Sequence, residues 1–449
     1  VKKGIKVAVF PELCITGYTC QDLFLQDQLL EEAKEGLISI ANCSKDKDGI
    51  FFVGLPLAVN GKLYNVAAAV SRGKILGMVP KIYLPNYNEF YEARHFYSGR
   101  KIDTTVTIKG YEVPVKSRMI FCCEEMPSLR IAAEICEDLW VPNPPSIGHS
   151  LAGATMIVNL SASDEITGKS KYRRELVAGQ SGRLVCAYIY ASAGSHESTQ
   201  DVVYSGHNIL GENGGVLAES KVFSTGITST EFDMKKIEAD RRRMTTYDAD
   251  DQESYTCVPF SLEYTETKLE RYIDPKPFVP SNEALRNKRC DEILTIQATG
   301  LKKRLEHIGC RRAVIGISGG LDSTLALIVI ARAFDMLGLD RNGILAVTMP
   351  GFGTTNRTYE NALNQVKCFG AELKEISIVN AVNVHFEDIE HDPSVHDVTY
   401  ENCLYESYFV INLFSDREYL LPIKSLCLTT HQPGIQIRCF MAGDTEPII

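Results

Sequence analysis

Residues Leu129–Trp140 read LRIAAEICEDLW, an apolar run long enough for a buried strand, with Cys136 where the run ends. Similar runs rich in Val, Ile, Phe and Tyr recur through residues 1–230 and stop at Gly, Pro or Asn. Polar, helix-like segments alternate with them. This pattern predicts a sandwich of the α/β class, with helices covering sheets.

Residues 1–230 contain two predicted hairpins, and a different sequence pattern follows them. One hairpin turns at Arg72-Gly73 and the other at the ENGG word of residues 212–215. A polar, proline-containing stretch over 245–285 resembles a linker. From about Glu283 an amphipathic helix runs into the words AVIGI, SGGLDS, TLALIVIARAFDML and ILAVTMP. This strand–helix–strand order predicts a parallel sheet and a second, nucleotide-type domain.

The composition restricts the class of protein. The chain has 449 residues, 45% hydrophobic and 23% charged, as in ordinary globular proteins. No apolar run reaches the roughly 18 residues of a membrane helix, so no membrane partner is expected. With 47 basic and 57 acidic residues the net charge is −10, which argues against nucleic acid as a partner. Fourteen irregularly spaced cysteines without a secretory signal predict reduced thiols in a cytoplasmic protein.

Three reactive side chains follow three predicted strands. Glu12 follows KVAVFP, Lys81 follows ILGMVP, and Cys136 follows LRIAAEI. Each alone is more often a turn residue, a solvated charge or a small core residue. Together at strand ends they would supply a base, a cation and a thiol, which is what nucleophilic attack by a thiolate requires. An ammonium close to the thiol also lowers its pKa.

The sequence motifs around these residues resemble those of the nitrilase, or carbon–nitrogen hydrolase, superfamily. PEL-x-x-TGY, PK-x-x-LP-x-Y and EICEDLW occur in that family's order and spacing. The resemblance implies a four-layer α-β-β-α nitrilase sandwich with a Glu-Lys-Cys triad. Carried over, Cys136 is the nucleophile, Glu12 the general base and Lys81 the stabiliser of the tetrahedral intermediate. The backbone N–H of Glu137 would be a second oxyanion donor.

Longer words resemble the glutaminase domain of glutamine-dependent NAD synthetases. They are LP-x-Y-x-EFYE-x-R-x-F, NLSAS-x-x-x-x-GK, YRRELV-x-x-QSGR and the ESTQD word that leads to SGH. In that subgroup the amide substrate is free glutamine. The resemblance implies that Tyr87, Ser163 and Lys169 bind glutamine.

The word GISGGLDS follows a Val/Ile strand and opens a helix. Small residues let backbone N–H groups approach a phosphate, and a helix N-terminus favours the anion. No Gly-Lys-Ser/Thr ends the word, so it is not a Walker A loop. It resembles the pyrophosphate-binding loop of ATP-pyrophosphatases, which implies that Asp322 helps to place Mg²⁺. The residues implied to bind ATP are Gly316, Ile317, Ser318, Gly319, Gly320, Leu321, Asp322 and Ser323.

Two further words resemble NAD synthetases rather than other users of this loop, such as GMP synthetases. They are TMPGFGTT-x-RT and VNVHFEDIEHDPSVHDVTYEN, and the resemblance implies that Asn402 contacts deamido-NAD. The implied reaction amidates deamido-NAD with ammonia from glutamine and consumes ATP. NAD is then product and not redox cofactor, and the chain carries no dinucleotide-binding GxGxxG word. The resemblance also implies a homo-oligomer.

These readings divide the chain into a nitrilase-like glutaminase domain (1–260), a linker (261–285), a partial Rossmann-like, parallel-sheet ATP-pyrophosphatase domain (286–402) and a tail (403–449) without a family motif. Relative to the family, a first strand and helix and much of the second domain are expected to be missing. Two other functions stay open. One is a stand-alone amidase with a non-functional ligase remnant, and the other is a non-catalytic, unstable fragment.

Overall fold

The computed structural model describes residues 4–199, 201–248, 252–267, 269–396 and 400, and the backbone of 425–430 and 435–439. The chain divides into two compact units, Val1–Ile273 and Asp274–Ile449. Each unit has its own sheets and its own hydrophobic core.

The first unit alternates strands with a few helices. Its strands are β1 Val7–Val9, β2 Ile50–Val59, β3 Lys62–Ser71, β4 Lys74–Pro80, β5 Asp103–Ile108, β6 Tyr111–Lys116, β7 Met119–Cys123, β8 Arg130–Ile135, β9 Met156–Ser161, β10 Ala187–Ser192, β11 Ile209–Glu212, β12 Gly215–Glu219 and β13 Thr256–Phe260. Its helices are α1 Asp27–Cys43, α2 Pro145–Leu151, α3 Lys169–Leu184 and α4 Met234–Arg243.

These strands form two sheets that pack face to face. One sheet has the order β1-β2-β3-β4-β6-β5 and the other β12-β11-β10-β9-β8-β7-β13. Phe52 and Ala67 of the first sheet share a buried cluster with Phe121, Ile131 and Val158 of the second. Because successive side chains along a strand point to opposite faces, the neighbouring residues face outward onto the helices.

Helices cover both outer faces. On the six-stranded sheet, α1 buries Leu37 and Ala41, four residues apart on one face, against a cluster that includes Val53. On the seven-stranded sheet, Val177 and Leu184 of α3 pack in a cluster with strand residues. The layers therefore run α-β-β-α, which confirms the predicted four-layer sandwich.

The second unit is built around one mainly parallel sheet. Its helices are α5 Glu283–Ile308, α6 Leu321–Leu337, α7 Asn356–Phe369 and α8 Val379–Asp388. Its strands are β14 Arg312–Gly316, β15 Ile344–Thr348, β16 Glu372–Glu375, β17 Ser425–Thr430 and β18 Ile435–Cys439. The order is β16-β15-β14-β17-β18, and only β18 runs antiparallel to its neighbour. The predicted strand–helix–strand unit is β14-α6-β15, and the predicted α/β class is confirmed.

Both predicted hairpins are present. Strands β3 and β4 are antiparallel around Arg72 and Gly73, whose φ angles are 44° and 82°. Strands β11 and β12 meet at Asn213 and Gly214, with φ angles of 45° and 87°. Two successive residues with positive φ give the turn whose twist suits a hairpin. Gly73 in one turn and Asn213 with Gly214 in the other adopt this region at low steric cost.

Strand β13 lies within the stretch whose polar character resembles a linker. It pairs in parallel with β7, and Cys257 of β13 forms a disulfide with Cys122 of β7. The expectation of reduced thiols is therefore wrong for this pair. Two cysteines 135 positions apart come together only when the strands pair, which spacing along the chain does not reveal. Across the described part of the chain, no helix is long and apolar enough to cross a membrane.

Candidate active site

The sandwich brings the ends of β1, β4 and β8 to one buried place. Lys81, directly after β4, donates from Nζ to Oε1 of Glu12 at 2.6 Å. Both side chains are completely enclosed. Cys136, directly after β8, is 4% exposed and interacts electrostatically with both charges. The three predicted catalytic residues therefore lie together, although they come from both sheets.

The Lys81 ammonium sits between two carboxylates. It also donates to Oε1 of Glu92 at 2.6 Å, and Tyr18 donates its hydroxyl proton to the same oxygen at 2.7 Å. Burial disfavours the ammonium, but the charges of Glu12 and Glu92 outweigh it and hold the pKa of Lys81 well above its ordinary value. Burial, only partly opposed by Lys81, raises the pKa of Glu92 to about 7. The site thus holds a permanent cation and a carboxyl that titrates near neutrality.

Glu12 is fixed by groups from several segments. Asn65 Nδ2 donates to Oε1 at 2.7 Å, and the backbone N–H of Ala162 donates to Oε2 at 2.9 Å. Its own backbone N–H donates to the carbonyl of Ser161 at 3.3 Å. A carboxylate with this many donors keeps one orientation. Glu12 is therefore held in one position beside Lys81.

Cys136 occupies a strained turn. Its φ angle is 44°, in the left-handed region, which costs a residue other than glycine about 1–2 kcal/mol. The turn opens the short 3₁₀ helix Cys136–Leu139, so the N–H of Glu137 lies in a first turn, where helical N–H groups lack helical acceptors. Burial and the charge of Glu12 raise the pKa of the Cys136 thiol, while Lys81 opposes them. Because its pKa is raised, the Cys136 sulfur is a thiol at neutral pH, and it could attack as a thiolate only with the help of a base.

Asp138 joins the turn of Cys136 to the segment that follows Lys81. Its carboxylate accepts from the backbone N–H groups of Tyr83 at 2.8 Å and Ile82 at 3.2 Å, and from Ile135 at 3.0 Å. Asp138 is 1% exposed. These bonds fix the distance between the segment after Lys81 and the turn of Cys136.

Two of the residues predicted to bind glutamine, Tyr87 and Lys169, interact with Glu137, the residue after Cys136, and we call these three residues the mouth of the site. The hydroxyl of Tyr87, a half-exposed residue, donates to Oε1 of Glu137 at 2.7 Å. Lys169, the first residue of α3, pairs with Asp164 and lies 5.5 Å from the ring centroid of Trp140. The charge of Lys169 also acts on Glu137. The mouth therefore presents a cation and a carboxylate within one electrostatic neighbourhood.

Ser163 lies deeper than the other two. It is 2% exposed, and its Oγ accepts from Arg173 at 3.3 Å. Arg173 is buried on α3 and also donates to Glu165 at 2.8 Å and to the Asp164 carbonyl at 3.1 Å. An ion pair between Arg173 and Glu165 thus supports the loop that carries Ser163.

The predicted ATP loop connects β14 to α6 in the second unit. Gly319 has φ 76°, and a Cβ there would stand 2.0 Å from the carbonyl oxygen of Thr358. Only glycine fits this approach. Ser318 and Ser323 bring their hydroxyls within 3.2 Å, and Gly320 donates its N–H to Ser318 Oγ at 3.3 Å. The loop is a tight backbone turn at a helix N-terminus, as its sequence predicts.

The remaining residues predicted to bind ATP lie at the end of β14 and in the first turn of α6. Gly316 ends β14, Ile317 donates its N–H to the Val347 carbonyl at 2.8 Å, and Leu321 is 88% exposed. Asp322 is an exposed carboxylate in the first turn of α6. Among the described residues no three or more His, Cys, Asp and Glu side chains form a group that could hold a metal. Asn402 lies outside the described residues.

Several residues of the first site were not predicted from the sequence. Glu92 stands in the quoted motif EFYE and Tyr18 ends the quoted motif PEL-x-x-TGY, but neither motif alone assigns them a role, and Asn65 stands in no quoted motif. Asp138 follows Cys136 by two residues and was noted only as part of EICEDLW. A signal was available for Glu92, because it lies eleven residues after Lys81 in the same resemblance.

Comparison with known proteins finds a family match in each of the two units. The model of the carbon-nitrogen hydrolase family matches residues 1–242, and that of the NAD synthase family matches residues 293–406. The chain is 38% identical over 413 residues to the glutamine-dependent NAD(+) synthetase of Mycobacterium tuberculosis, covering 89% of this chain and 61% of that protein. Against the enzyme of the same name from Aquifex aeolicus the identity is 27% over 398 residues, covering 88% and 63%.

Among solved structures, a glutamine-dependent NAD(+) synthetase from Cytophaga hutchinsonii matches 95% of this chain and 68% of its own, with 23% identity and a TM-score of 0.45. The chain spans about three fifths of the length of the two curated relatives above. The family match in the first unit coincides with the buried Glu12, Lys81 and Cys136. This chain belongs to the carbon–nitrogen hydrolase family and carries, in the same polypeptide, a segment that matches NAD synthase.

Proposed function

We propose that this protein is a glutamine-dependent NAD synthetase, a carbon–nitrogen ligase that takes its nitrogen from glutamine. The observation that carries the proposal is the enclosed pair of Glu12 and Lys81, 2.6 Å apart, beside the strained Cys136. The proposal also draws on the NAD synthase match over residues 293–406 of the same chain. A family member that only hydrolysed amides would have no use for the second unit's glycine loop.

In the first half-reaction, the Cys136 thiol gives its proton to Glu12 as Sγ attacks the amide carbon of glutamine. The developing oxyanion is stabilised by the ammonium of Lys81 and by the N–H of Glu137. Ammonia leaves with the proton returned by Glu12, and a thioester remains. Because burial raises the pKa of the thiol, the base has to act during the attack and not before it.

In the second half-reaction, water attacks the thioester and passes its proton to Glu12. The same oxyanion donors act again, the carbon–sulfur bond breaks, and the Cys136 sulfur recovers a proton as glutamate departs. Lys81 keeps its charge throughout, since Glu12 and Glu92 hold its pKa well above its ordinary value. It therefore acts as an electrostatic stabiliser and not as an acid.

The mouth of the site suits a free amino acid. The Lys169 ammonium is the cation for the α-carboxylate of glutamine, and the Glu137 carboxylate is the anion for its α-ammonium. Tyr87 orients Glu137 through its hydroxyl, and Ser163 supplies a further buried hydroxyl. Two opposite charges at one mouth select an amino acid over a simple amide.

In the second unit, ATP adenylates the carboxylate of deamido-NAD with loss of pyrophosphate, and ammonia displaces AMP to give NAD. The loop Gly316–Ser323 would bind the pyrophosphate part of ATP through backbone N–H groups. Mg²⁺ binds proteins through one or two carboxylates together with phosphate oxygens, so the exposed Asp322 fits it. When bound, Mg²⁺ would neutralise charge on the phosphates. Asn402 is proposed to contact deamido-NAD.

The proposal includes an organisation for the chain. Residues 1–260 form the glutaminase domain, 261–285 the linker, 286–402 the nucleotide-binding part and 403–449 a tail without a family motif, whose strands β17 and β18 extend the sheet of the second unit. The partners are glutamine, ATP and deamido-NAD. A homo-oligomer in the cytoplasm is the setting that the resemblance implies.

The test is to incubate the protein with glutamine, ATP, MgCl₂ and deamido-NAD and to measure glutamate, AMP and NAD together. The expected result is that all three appear and that NAD and AMP form in equal amounts. Glutamate without AMP would overturn the synthetase and leave an amidase. The absence of all three products from folded protein would leave a non-catalytic chain.

A further inference from the structure

A buried chain of hydrogen bonds lies behind the nucleophile. Glu134, Asn159 and Tyr188 come from the adjacent strands β8, β9 and β10, and each is at most 1% exposed. Glu134 and Asn159 are direct register partners. All three lie on the side of the sheet that α2 and α3 cover, because Tyr188 packs in the cluster of Val177 and Leu184. None of them belongs to the groups assigned above to the chemistry.

Each hydrogen bond in this buried network has a defined donor and a defined acceptor. Tyr188 donates its only hydroxyl proton to Oε1 of Glu134. The Tyr188 oxygen is then an acceptor, and Asn159 Nδ2 donates to it at 3.2 Å. The Asn159 amide is thereby oriented so that Oδ1 faces the backbone N–H of Cys136, which donates to it at 3.2 Å. Ser161 Oγ donates to the same Oδ1 at 2.6 Å.

The opposite orientation of the amide would fail at both ends. Rotating Asn159 by half a turn would set Nδ2 against the N–H of Cys136, donor against donor, and would set Oδ1 near a hydroxyl whose proton is already given to Glu134. A carboxylate accepts and cannot donate when it is ionised, so Glu134 sets the direction for the whole chain. Ser146 also donates its backbone N–H to Glu134 at 2.9 Å, and Gln180 donates to Ser146 Oγ at 2.9 Å.

This network of hydrogen bonds ends at Cys136, the residue in it that tolerates movement least. Cys136 holds φ 44°, a conformation that a cysteine keeps only when its surroundings impose it. Its N–H is buried, and the acceptor it uses is Asn159 Oδ1. We propose that Glu134 and Tyr188 are positioning residues that act through Asn159 to hold the Cys136 turn in its reactive conformation. The inference rests on the proposed role of Cys136 as the nucleophile.

The test uses Tyr188→Phe, Glu134→Gln and the double variant. Either single change removes one of the groups that hold the Asn159 amide and so loosens the support of the Cys136 turn, and kcat for glutamine hydrolysis should therefore fall about 10- to 100-fold. The KM for glutamine should stay within about threefold, because the mouth residues are untouched. The double variant should lose no more of its kcat than either single variant, since both changes interrupt the same network of hydrogen bonds.

A matched control is Tyr64→Phe, which removes a hydroxyl from a tyrosine that is 8% exposed on the other sheet. It should leave kcat unchanged. Equal losses in Tyr64→Phe and Tyr188→Phe, or additive losses in the double variant, would overturn the positioning role. Thermal unfolding of each variant identifies any that fails to fold, and Glu134→Gln keeps the proposal testable if Tyr188→Phe does.

A second readout does not need glutamine. Alkylation of Cys136 by iodoacetamide, followed by mass spectrometry of the peptide that carries it, reports the thiol directly. We expect both single variants to slow it at least about tenfold, because a displaced thiol loses Glu12 as base. Slower alkylation in a protein whose wild type does not hydrolyse glutamine would support the positioning and refute the proposed function. Unchanged alkylation and kcat in both variants would refute the positioning and leave the function standing.

Discussion

The two sites of this chain are built in opposite ways. The site in the first unit consists of enclosed side chains, with Lys81 between Glu12 and Glu92 and Cys136 in a strained turn. The loop of the second unit offers mainly backbone, and its demanding residue is Gly319, which has no side chain. A reaction that moves protons needs side chains whose pKa values are set by burial and charge. Binding a phosphate needs N–H groups and close approach, and glycine provides both.

The comparison predicts that losing the nucleophile has the largest effect and acts on one site alone. Cys136→Ala should lower glutamine hydrolysis at least about ten-thousand-fold, because no other group can form the thioester. ATP-dependent AMP formation with ammonium chloride and deamido-NAD should persist. Glutamate release and AMP formation are the two measurements.

Cys43→Ala is the control, since Cys43 is an exposed free thiol at the end of α1. It should keep both activities. If Cys136→Ala also stopped AMP formation with ammonium chloride, the two sites would not be separable as described.

The enclosed charges predict a loss of stability in the first unit. Lys81→Met should lower the free energy of unfolding by about 3–5 kcal/mol and abolish glutamine hydrolysis, because two buried carboxylates lose their shared cation. Urea denaturation followed by circular dichroism measures the first effect. Lys109→Met, which breaks an exposed pair with Glu35, should leave the stability nearly unchanged. Equal effects from the two changes would contradict the importance of burial.

The glycine loop predicts a backbone effect in the second unit. Gly319→Ala should cost about 2–3 kcal/mol and abolish ATP binding in calorimetry, because the new Cβ meets Thr358 O at 2.0 Å with φ at 76°. Gly320→Ala is the matched control, because φ there is −86° and the nearest atom is Ser318 Oγ at 3.3 Å. It should be milder, and glutamine hydrolysis should survive both changes. If the two variants bound ATP equally well, the close approach of Gly319 would not matter.

The smallest effect is a pH dependence confined to the first site. The charge of Glu92 raises the pKa of the Cys136 thiol, and Glu92 carries that charge only above its own pKa of about 7. Glu92→Gln should therefore alkylate like the wild type below pH 7. Above pH 7 it should react about tenfold faster with iodoacetamide, because the pKa of the thiol is lower without the charge of Glu92. A ratio of variant to wild type that stays constant from pH 6 to 9 would rule out this role for Glu92.

The sequence by itself determined the features that depend on neighbouring residues along the polypeptide. Glu12, Lys81 and Cys136 each follow a strand, which the sequence shows, whereas their meeting depends on how the two sheets stack. The two hairpin turns and the SGGLDS loop depend on local backbone conformation, which short words of Gly, Asn and Ser specify. The length of α5 follows from its amphipathic pattern and from Gly309, which ends it with φ 63°.

Only the tertiary structure decided which distant groups meet. Tyr18 bonds Glu92 across 74 positions, Asn65 bonds Glu12 across 53, and Tyr188 bonds Glu134 across 54. Nothing in the local sequence indicates which of these side chains bonds to which. Their roles depend on strand register and on how two sheets stack, which are properties of the whole sandwich. Burial and the charges brought together there then set the pKa values of the carboxyl, the ammonium and the thiol.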